Sequence, residues 1–225
     1  MTVRPILFNS EMVRAILFNS EMVRAILNGN KTQTRRVIKP QPTLSQSSGF
    51  NWKGHSYGIN STYKGTIKNF VDSNQVCPFG KVGDQLFVQE TYGTKIRSLG
   101  GTPHESFVYK ADNPNEIAYY DCKGMGYPVR WKPSSRMPRK ASRILLEITN
   151  ISLELLNNIS EESAKAEGIV ETIKGWKPYQ ASKRLCSSPE LAFKLLWEQY
   201  KGSKSWNENP WVWVIEFKVI QGGDQ

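Results

Sequence analysis

Trp211–Ile220 reads WVWVIEFKVI, and this stretch decides the fold. It is made of aromatic, β-branched and only two charged residues, the composition of a pleated, largely buried strand. Side chains alternate across a strand, so Trp211, Trp213, Ile215 and Phe217 share one face, and Val212, Val214, Glu216 and Lys218 share the other. Moving back along the chain, Ser188 is a helix N-cap, with Pro189 at the first helical position and Gly202 past the end. Leu191, Leu195, Leu196 and Tyr200 form the expected apolar stripe of that helix. Ser160 caps a shorter helix, Glu161 to Glu167, with acidic residues in its first turn and Gly168 after it. RILLEITNI, Arg143–Ile151, reads as a second strand. QLFVQETY, Gln85–Tyr92, reads as a third, entered from the turn cluster Cys77–Asp84. Several strands, short helices between them and no regular βαβ alternation give an α+β protein built on a mostly antiparallel sheet or barrel.

Three stretches between these elements lack clear periodicity. Residues 39–76 are rich in Ser, Gly, Asn, Gln and Lys and read as a long insertion with little regular structure. Residues 93–136 read as Gly- and Pro-marked loop around one strand, Ser106–Lys110, and residues 170–188 read as a further loop.

The N-terminus carries a repeat. VRPILFNSEM at Val3–Met12 is followed by VRAILFNSEM at Val13–Met22, and VRAIL closes the series at Val23–Leu27. Each unit holds an apolar Ile-Leu-Phe, then Asn-Ser as an N-cap signal, then a first helical turn. One arrangement makes Ile16–Phe18 a strand and starts a helix at Ser20, stopped by Gly29, leaving residues 1–12 as a tail before a single domain, 13–225. The other makes Ile6–Phe8 the strand and runs one helix from Ser10 to Leu27, longer by about 15 Å. At about 100° per residue, a ten-residue shift turns the second copy's apolar face about 80° from the first's, so one stripe does not hold both. This favours the first arrangement.

The 225 residues suit one large domain, or less readily two small ones, and a chain of this size needs no disulfide or metal staple. Lys and Arg number 30 against 20 Asp and Glu, a formal net charge of +10, which attracts polyanions. Cys77, Cys122 and Cys186 are far apart and odd in number, so neither a disulfide framework nor a zinc site is expected, and a reducing, cytoplasmic setting fits. No apolar run approaches a membrane span, and no signal-peptide core is seen.

Three segments carry candidate chemistry. NGNKTQTRR, Asn28–Arg36, places Lys31, Arg35 and Arg36 among hydroxyl and amide groups, either a phosphate-binding segment or an exposed basic strand start. In QLFVQETY, Glu90 shares a strand face with Leu86 and Val88. A carboxylate on that face is paired or has a raised pKa, unless it sits at a solvated rim. MPRKASR, Met137–Arg143, sets Arg139, Lys140 and Arg143 around Ala141 and Ser142. Small residues there allow close approach by a base, and the alternative is a solvated basic turn. Trp52, Tyr57, Tyr63, Tyr92, Tyr119, Tyr120, Trp131 and Trp176 lie in or near these loops, where exposed rings stack on unpaired bases.

With these residues in view, the chain resembles the ASCH-domain proteins frequent in phages and prophages. Gly29, Lys31, Thr34 and Arg36 match the family's Gly-x-Lys-x-x-Thr-x-Arg signature. The Gly83-Asp84 turn, the strand ending in Glu90, the MPRKASR stretch and the NPWVWVIEF strand at Asn209–Phe217 follow in order. The resemblance covers about residues 13–220. It implies a PUA-like, partly open β-barrel flanked by short helices, with a cleft facing nucleic acid, in the cytoplasm of a bacterial host. Some small members are amidohydrolases acting on acetylated cytidine, and by motif position their catalytic groups fall on Lys31, Thr34 and Glu90. Thr34 would attack the amide carbonyl, Lys31 would take its proton, and Glu90 would serve the leaving amine, with no metal or cofactor. Arg35, Arg36, Tyr92, Arg139, Lys140, Ser142 and Arg143 would line the nucleic-acid side. Three readings stay open: an amidohydrolase on a modified nucleoside or RNA, a non-catalytic RNA-binding module, and a nuclease-like processing activity.

Overall fold

The computed structural model describes residues 14–45, 49–57, 63–72, 77–99, 102–178 and 183–222. The extra ten-residue unit and the proposed tail, 1–12, lie outside the described residues. The first elements among the described residues are strand β1 (Arg14–Leu17) and helix α1 (Ser20–Leu27), the latter capped by the Asn19 side chain, which accepts the Met22 N–H. The single Ser10–Leu27 helix is therefore not formed, because Arg14–Leu17 is extended. Strand β2 (Gln33–Val37) follows, then a meander of β3 (Thr43–Ser45), β4 (Gly49–Trp52) and β5 (His55–Tyr57), and helix α2 (Tyr63–Asp72). β6 (Gln85–Gln89) leads to two hairpins: β7 (Tyr92–Leu99) with β8 (Thr102–Tyr109), and β9 (Ile117–Tyr120) with β10 (Gly126–Pro128). β11 (Leu145–Leu155), α3 (Glu161–Ala166), the hairpin β12 (Ile169–Thr172) and β13 (Gly175–Pro178), α4 (Pro189–Lys201), α5 (Ser203–Asn207) and β14 (Trp211–Gln221) complete the chain.

The fold is α+β and dominated by strands. Its central sheet has the order β1-β6-β11-β14-β2; β1 and β6 run parallel and the other neighbours antiparallel. The long β11–β14 pair sets the frame, with Leu153 opposite Trp213 and Ile151 opposite Ile215. The edge strands β1 and β2 share no ladder. Instead the Arg36 guanidinium, on β2, donates to the Leu17 carbonyl of β1 at 3.0 Å.

β14 explains the layering. Its Trp211, Trp213, Ile215 and Phe217 enter the main core with Ile16, Phe18, Leu86, Val88, Leu146 and Ile148. Val212 and Val214, on the other face, pack on α4 through Phe193, Leu196 and Trp197. Lys218, beyond the reach of α4, is exposed and pairs with Glu147 at 2.9 Å. No helix among the described residues is long and apolar enough to cross a membrane.

Several expectations need correction. Residues 39–76 contain the β3–β5 meander and α2, and they put Phe50 and Phe70 (both 0 % exposed) and Trp52 (8 %) into the main core. Trp52 and Tyr57 are thus core or core-packed rings, not free stacking platforms, and Tyr63's side chain lies outside the described residues. Residues 93–136 hold two hairpins in place of loop around one strand, because β7 pairs with β8 along its whole length, Tyr92 opposite Tyr109 to Leu99 opposite Thr102. Residues 170–188 likewise contain the β12–β13 pair. On α4 the buried face is Ala192, Phe193, Leu196 and Trp197, while Leu191 and Tyr200 are 40 % and 42 % exposed. The stripe is rotated toward Phe193 and Trp197, whose larger rings decide which way the helix faces. The strand expected over Gln85–Tyr92 is broken at Glu90–Thr91, where the chain leaves the central sheet for β7.

Candidate nucleic-acid interface

Lys31 is placed by the end of α1. Gly29 adopts φ +74°, a left-handed turn that glycine takes without penalty, and the Lys31 N–H returns to the Ala25 carbonyl at 3.0 Å. The side chain then runs inward and is 0 % exposed. Its ammonium donates to the Gln33 carbonyl at 2.8 Å, to the Glu167 carbonyl at 3.0 Å and to the Glu167 carboxylate. An ammonium has three N–H donors, and all are used. Burial lowers the Lys31 pKa from the ordinary lysine value; the Glu167 carboxylate opposes this, and Arg36 and Arg35 add to it. Glu167 also accepts from Arg35 Nη1 at 3.2 Å, while Arg35 Nε donates to Glu154 at 2.6 Å and Nη1 to the Gln33 side chain at 2.8 Å. The Arg35 guanidinium lies over the Phe193 ring, 5.4 Å from its centroid. Arg35 is 3 % exposed, and its charge is engaged in holding β2 to α3, α4 and β11.

Thr34 is buried at 1 % and stands opposite Ile215, on the main-core side of β2. Arg35, one residue on, faces the α4 side. Arg36 returns to the Thr34 side, opposite Trp213, with its guanidinium 5.2 Å from the Phe18 ring centroid. Glu90 sits at the end of β6 and is 1 % exposed. Its carboxylate faces Arg143, which donates Nε to Oε1 at 2.9 Å and Nη2 to Oε2 at 3.2 Å. Burial raises the Glu90 pKa, and the Arg143 hydrogen bonds and charge pull it back. The opposite edge of Arg143 grips Asp112 at 2.7 and 2.8 Å, and its plane lies 3.9 Å from the Tyr109 ring centroid. Burial disfavours the Arg143 charge, yet its bonds to Glu90 and Asp112 outweigh that and raise its proton affinity. Among the described residues, no hydrogen bond joins Lys31, Thr34 and Glu90 to one another. Lys31 belongs to a Glu167–Arg35 group and Glu90 to an Arg143–Asp112 group.

The expected nucleic-acid residues divide in two. Tyr92, 5 % exposed, donates its hydroxyl to the Arg136 carbonyl at 3.1 Å. Ser142 donates to the Val88 carbonyl at 2.8 Å, and Arg143 is 8 % exposed in the cluster just described. These three act as anchors, with polar groups engaged within the protein. Arg139 and Lys140 are exposed.

What the anchors hold is a strap, Arg130–Lys140, RWKPSSRMPRK. The Tyr92 backbone exchanges hydrogen bonds with Lys132, Gln89 Nε2 donates to the Met137 carbonyl at 2.7 Å, and Met137 is buried with Tyr92 and Ala141. The cations between these fixed points, Arg130, Lys132, Arg136, Arg139 and Lys140, are all exposed. None forms an ion pair among the described residues, and no Asp or Glu occurs from Cys122 to Leu146. Lys132 leans over Tyr92 and Arg139 over Phe87, which fixes the stems and leaves the charges outward. The sequence singled out Arg139 and Lys140 but not Arg130, Lys132 and Arg136; the acid-free run was the available signal.

An open concavity of about 800 Å³ lies elsewhere, on the β12–β13 hairpin, lined by residues including Thr172, Ile173, Lys174, Lys177 and Lys183. It contains none of the residues singled out above, and Glu171 lies among its lysines whereas the strap carries no acidic residue, so the strap is the better candidate interface. In comparison with known proteins, no family model, no curated protein and no solved structure matches the chain.

Proposed function

We propose that this chain is an RNA-binding module of the ASCH type, a PUA-like, partly open barrel that meets the phosphate backbone with its basic strap. One observation carries the reading: Arg130, Lys132, Arg136, Arg139 and Lys140 are exposed, form no ion pair among the described residues and are mounted on buried anchors. Cations already paired to carboxylates gain little from phosphate, whereas unpaired ones release the counterions of the nucleic acid on binding. The choice of RNA rests on the resemblance of Gly29, Lys31, Thr34 and Arg36 to the ASCH signature. In fluorescence anisotropy with a labelled single-stranded RNA, affinity falls as salt rises. The Arg136→Ala/Arg139→Ala/Lys140→Ala variant binds more weakly and lowers the slope of log K against log salt by about 2, since each phosphate contact on a single strand contributes about 0.7. An unchanged slope in that variant removes the strap from the interface.

The second reading is the amidohydrolase, favoured by the motif and by a buried lysine with a lowered pKa. Its first step has Lys31 accept the Thr34 hydroxyl proton as the oxygen attacks the acetamide carbonyl. A lysine whose three N–H groups are all engaged has no lone pair to offer, so Lys31 must first give up its proton and a Glu167 contact. Incubation with acetylated cytidine is expected to release no acetate. Release that disappears in Thr34→Val would reverse the order of the two readings.

A further inference from the structure

We infer that the β9–β10 hairpin is a base-stacking platform, so that the RNA taken by the strap is single-stranded where it crosses this hairpin. The inference rests on the RNA-binding reading and adds the class of nucleic acid to it.

The hairpin exposes more aromatic and apolar surface than a solvent-facing ribbon requires. Tyr119 and Tyr127 stand directly opposite in the β9–β10 ladder, and their rings stack at 4.8 Å with an interplanar angle of 10°. They remain 44 % and 39 % exposed, so the outer face of the pair is open. Cross-strand ring pairs stabilise two-stranded ribbons, and that alone accounts for Tyr119 and Tyr127. It does not account for Tyr120. This residue is 67 % exposed, points to the other side of the ribbon and lies opposite Gly126. A Cβ at Gly126 would come within 3.1 Å of the Tyr120 ring, so the ring rests against the bare backbone of that glycine with its far side free. Met125, 63 % exposed, adjoins it at the end of the turn.

The hairpin is rigidly continuous with the strap. Tyr127 precedes Arg130 by three residues, and the two residues between do not act as a hinge. The Val129 N–H bonds the Glu116 carbonyl at 2.9 Å and the Val129 side chain is 6 % exposed. Trp131 Nε1 then donates to the Pro114 carbonyl at 3.1 Å. The rings are thus held in one frame with the cations, a basic segment continuous with exposed aromatic faces. This is the arrangement that takes unpaired bases without reading their sequence, since every base has a π-face. A duplex keeps its bases stacked inside and offers the rings nothing.

The test uses the full chain and a fluorescein-labelled mixed-sequence RNA, single-stranded or annealed to its complement, titrated over a range of salt. The single strand is expected to bind more tightly than the duplex. Tyr120→Ala lowers single-strand affinity about tenfold, the loss of roughly one stacked base, while duplex affinity and the salt slope stay at wild-type values. Tyr120→Phe, which keeps the ring, retains wild-type affinity. Wild-type single-strand binding by Tyr120→Ala, or equal losses on both RNAs, overturns the platform and leaves the strap standing if its salt slope holds. A tenfold loss in Tyr120→Phe assigns the contact to the hydroxyl and also overturns stacking. Binding of neither RNA by the wild type removes the strap and the platform together.

Discussion

Glu167→Ala is expected to destabilise the protein by about 3–5 kcal/mol, the cost of breaking a buried ion pair by removing one partner. For a chain of this size that is roughly 6–20 °C in Tm. The magnitude follows from what stays behind. Lys31 and Arg35 have side chains that are 0 % and 1 % exposed, and both place an N–H on the Glu167 carboxylate. Without it, two cations remain in a poorly solvated space, and Glu154 reaches only one of them. Glu167→Gln keeps an acceptor of the same shape and loses the charge, so its loss is smaller. Lys31→Met/Glu167→Gln is more stable than Glu167→Ala, because replacing a buried pair costs less than orphaning half of it. Urea unfolding of the four proteins checks the order. A Glu167→Ala variant within about 1 kcal/mol of wild type would mean that water reaches Lys31. The ammonium would then be open to the chemistry that its closed geometry argues against, so this measurement also bears on which functional reading holds.

The difference between what the sequence disclosed and what it hid is physical. β14 was legible because Trp211–Ile220 is a run of aromatic and β-branched residues with only two charges, and the structure extends it by one residue, to Gln221. The helix limits at Ser160, Ser188 and Gly202 were legible because caps are local: the Ser160 and Ser188 oxygens accept the N–H groups three residues on. The burial of Glu90 was legible from Leu86 and Val88 on the same face. Its partner Arg143 lay within a segment already singled out, though for another role. Glu167 was not legible as the partner of Lys31. The two are 136 positions apart, and no periodic signal spans that interval. The core role of residues 39–76 was hidden differently: β3, β4 and β5 are three or four residues long, too short to show alternation, and their few buried rings are diluted by polar neighbours.

That segment carries the second large effect. Phe70→Ala is expected to cost about 3–5 kcal/mol, as truncation of a fully buried phenylalanine does. Phe70 is 0 % exposed on α2, and its ring is met by Phe50 at 4.6 Å, Tyr57 at 4.9 Å, Trp52 at 5.5 Å and Trp213 at 5.5 Å, the last nearly parallel at 14°. Three of these partners come from the meander and one from the central sheet. The ring is therefore the joint between the segment and the fold, and each aromatic contact adds about 0.5–1.5 kcal/mol to the area it buries. An appendage would behave otherwise: Leu44, in the same segment but 42 % exposed, is the control, and Leu44→Ala changes stability by no more than about 0.5 kcal/mol. Trp52 and Trp213 both lose a face covered by Phe70, so the summed emission of the seven tryptophans is expected to shift to the red as water enters. Deleting residues 43–72 should then yield an insoluble chain, not a smaller folded domain, since it bares Trp211 and Trp213 at once. Trp213 lies opposite Arg36 in the β14–β2 ladder, so slack at Phe70 passes to the strand that holds Thr34 and Arg35. A soluble, cooperatively folding deletion would show that β14 is packed sufficiently from its α4 side, and that the aromatic joint is dispensable.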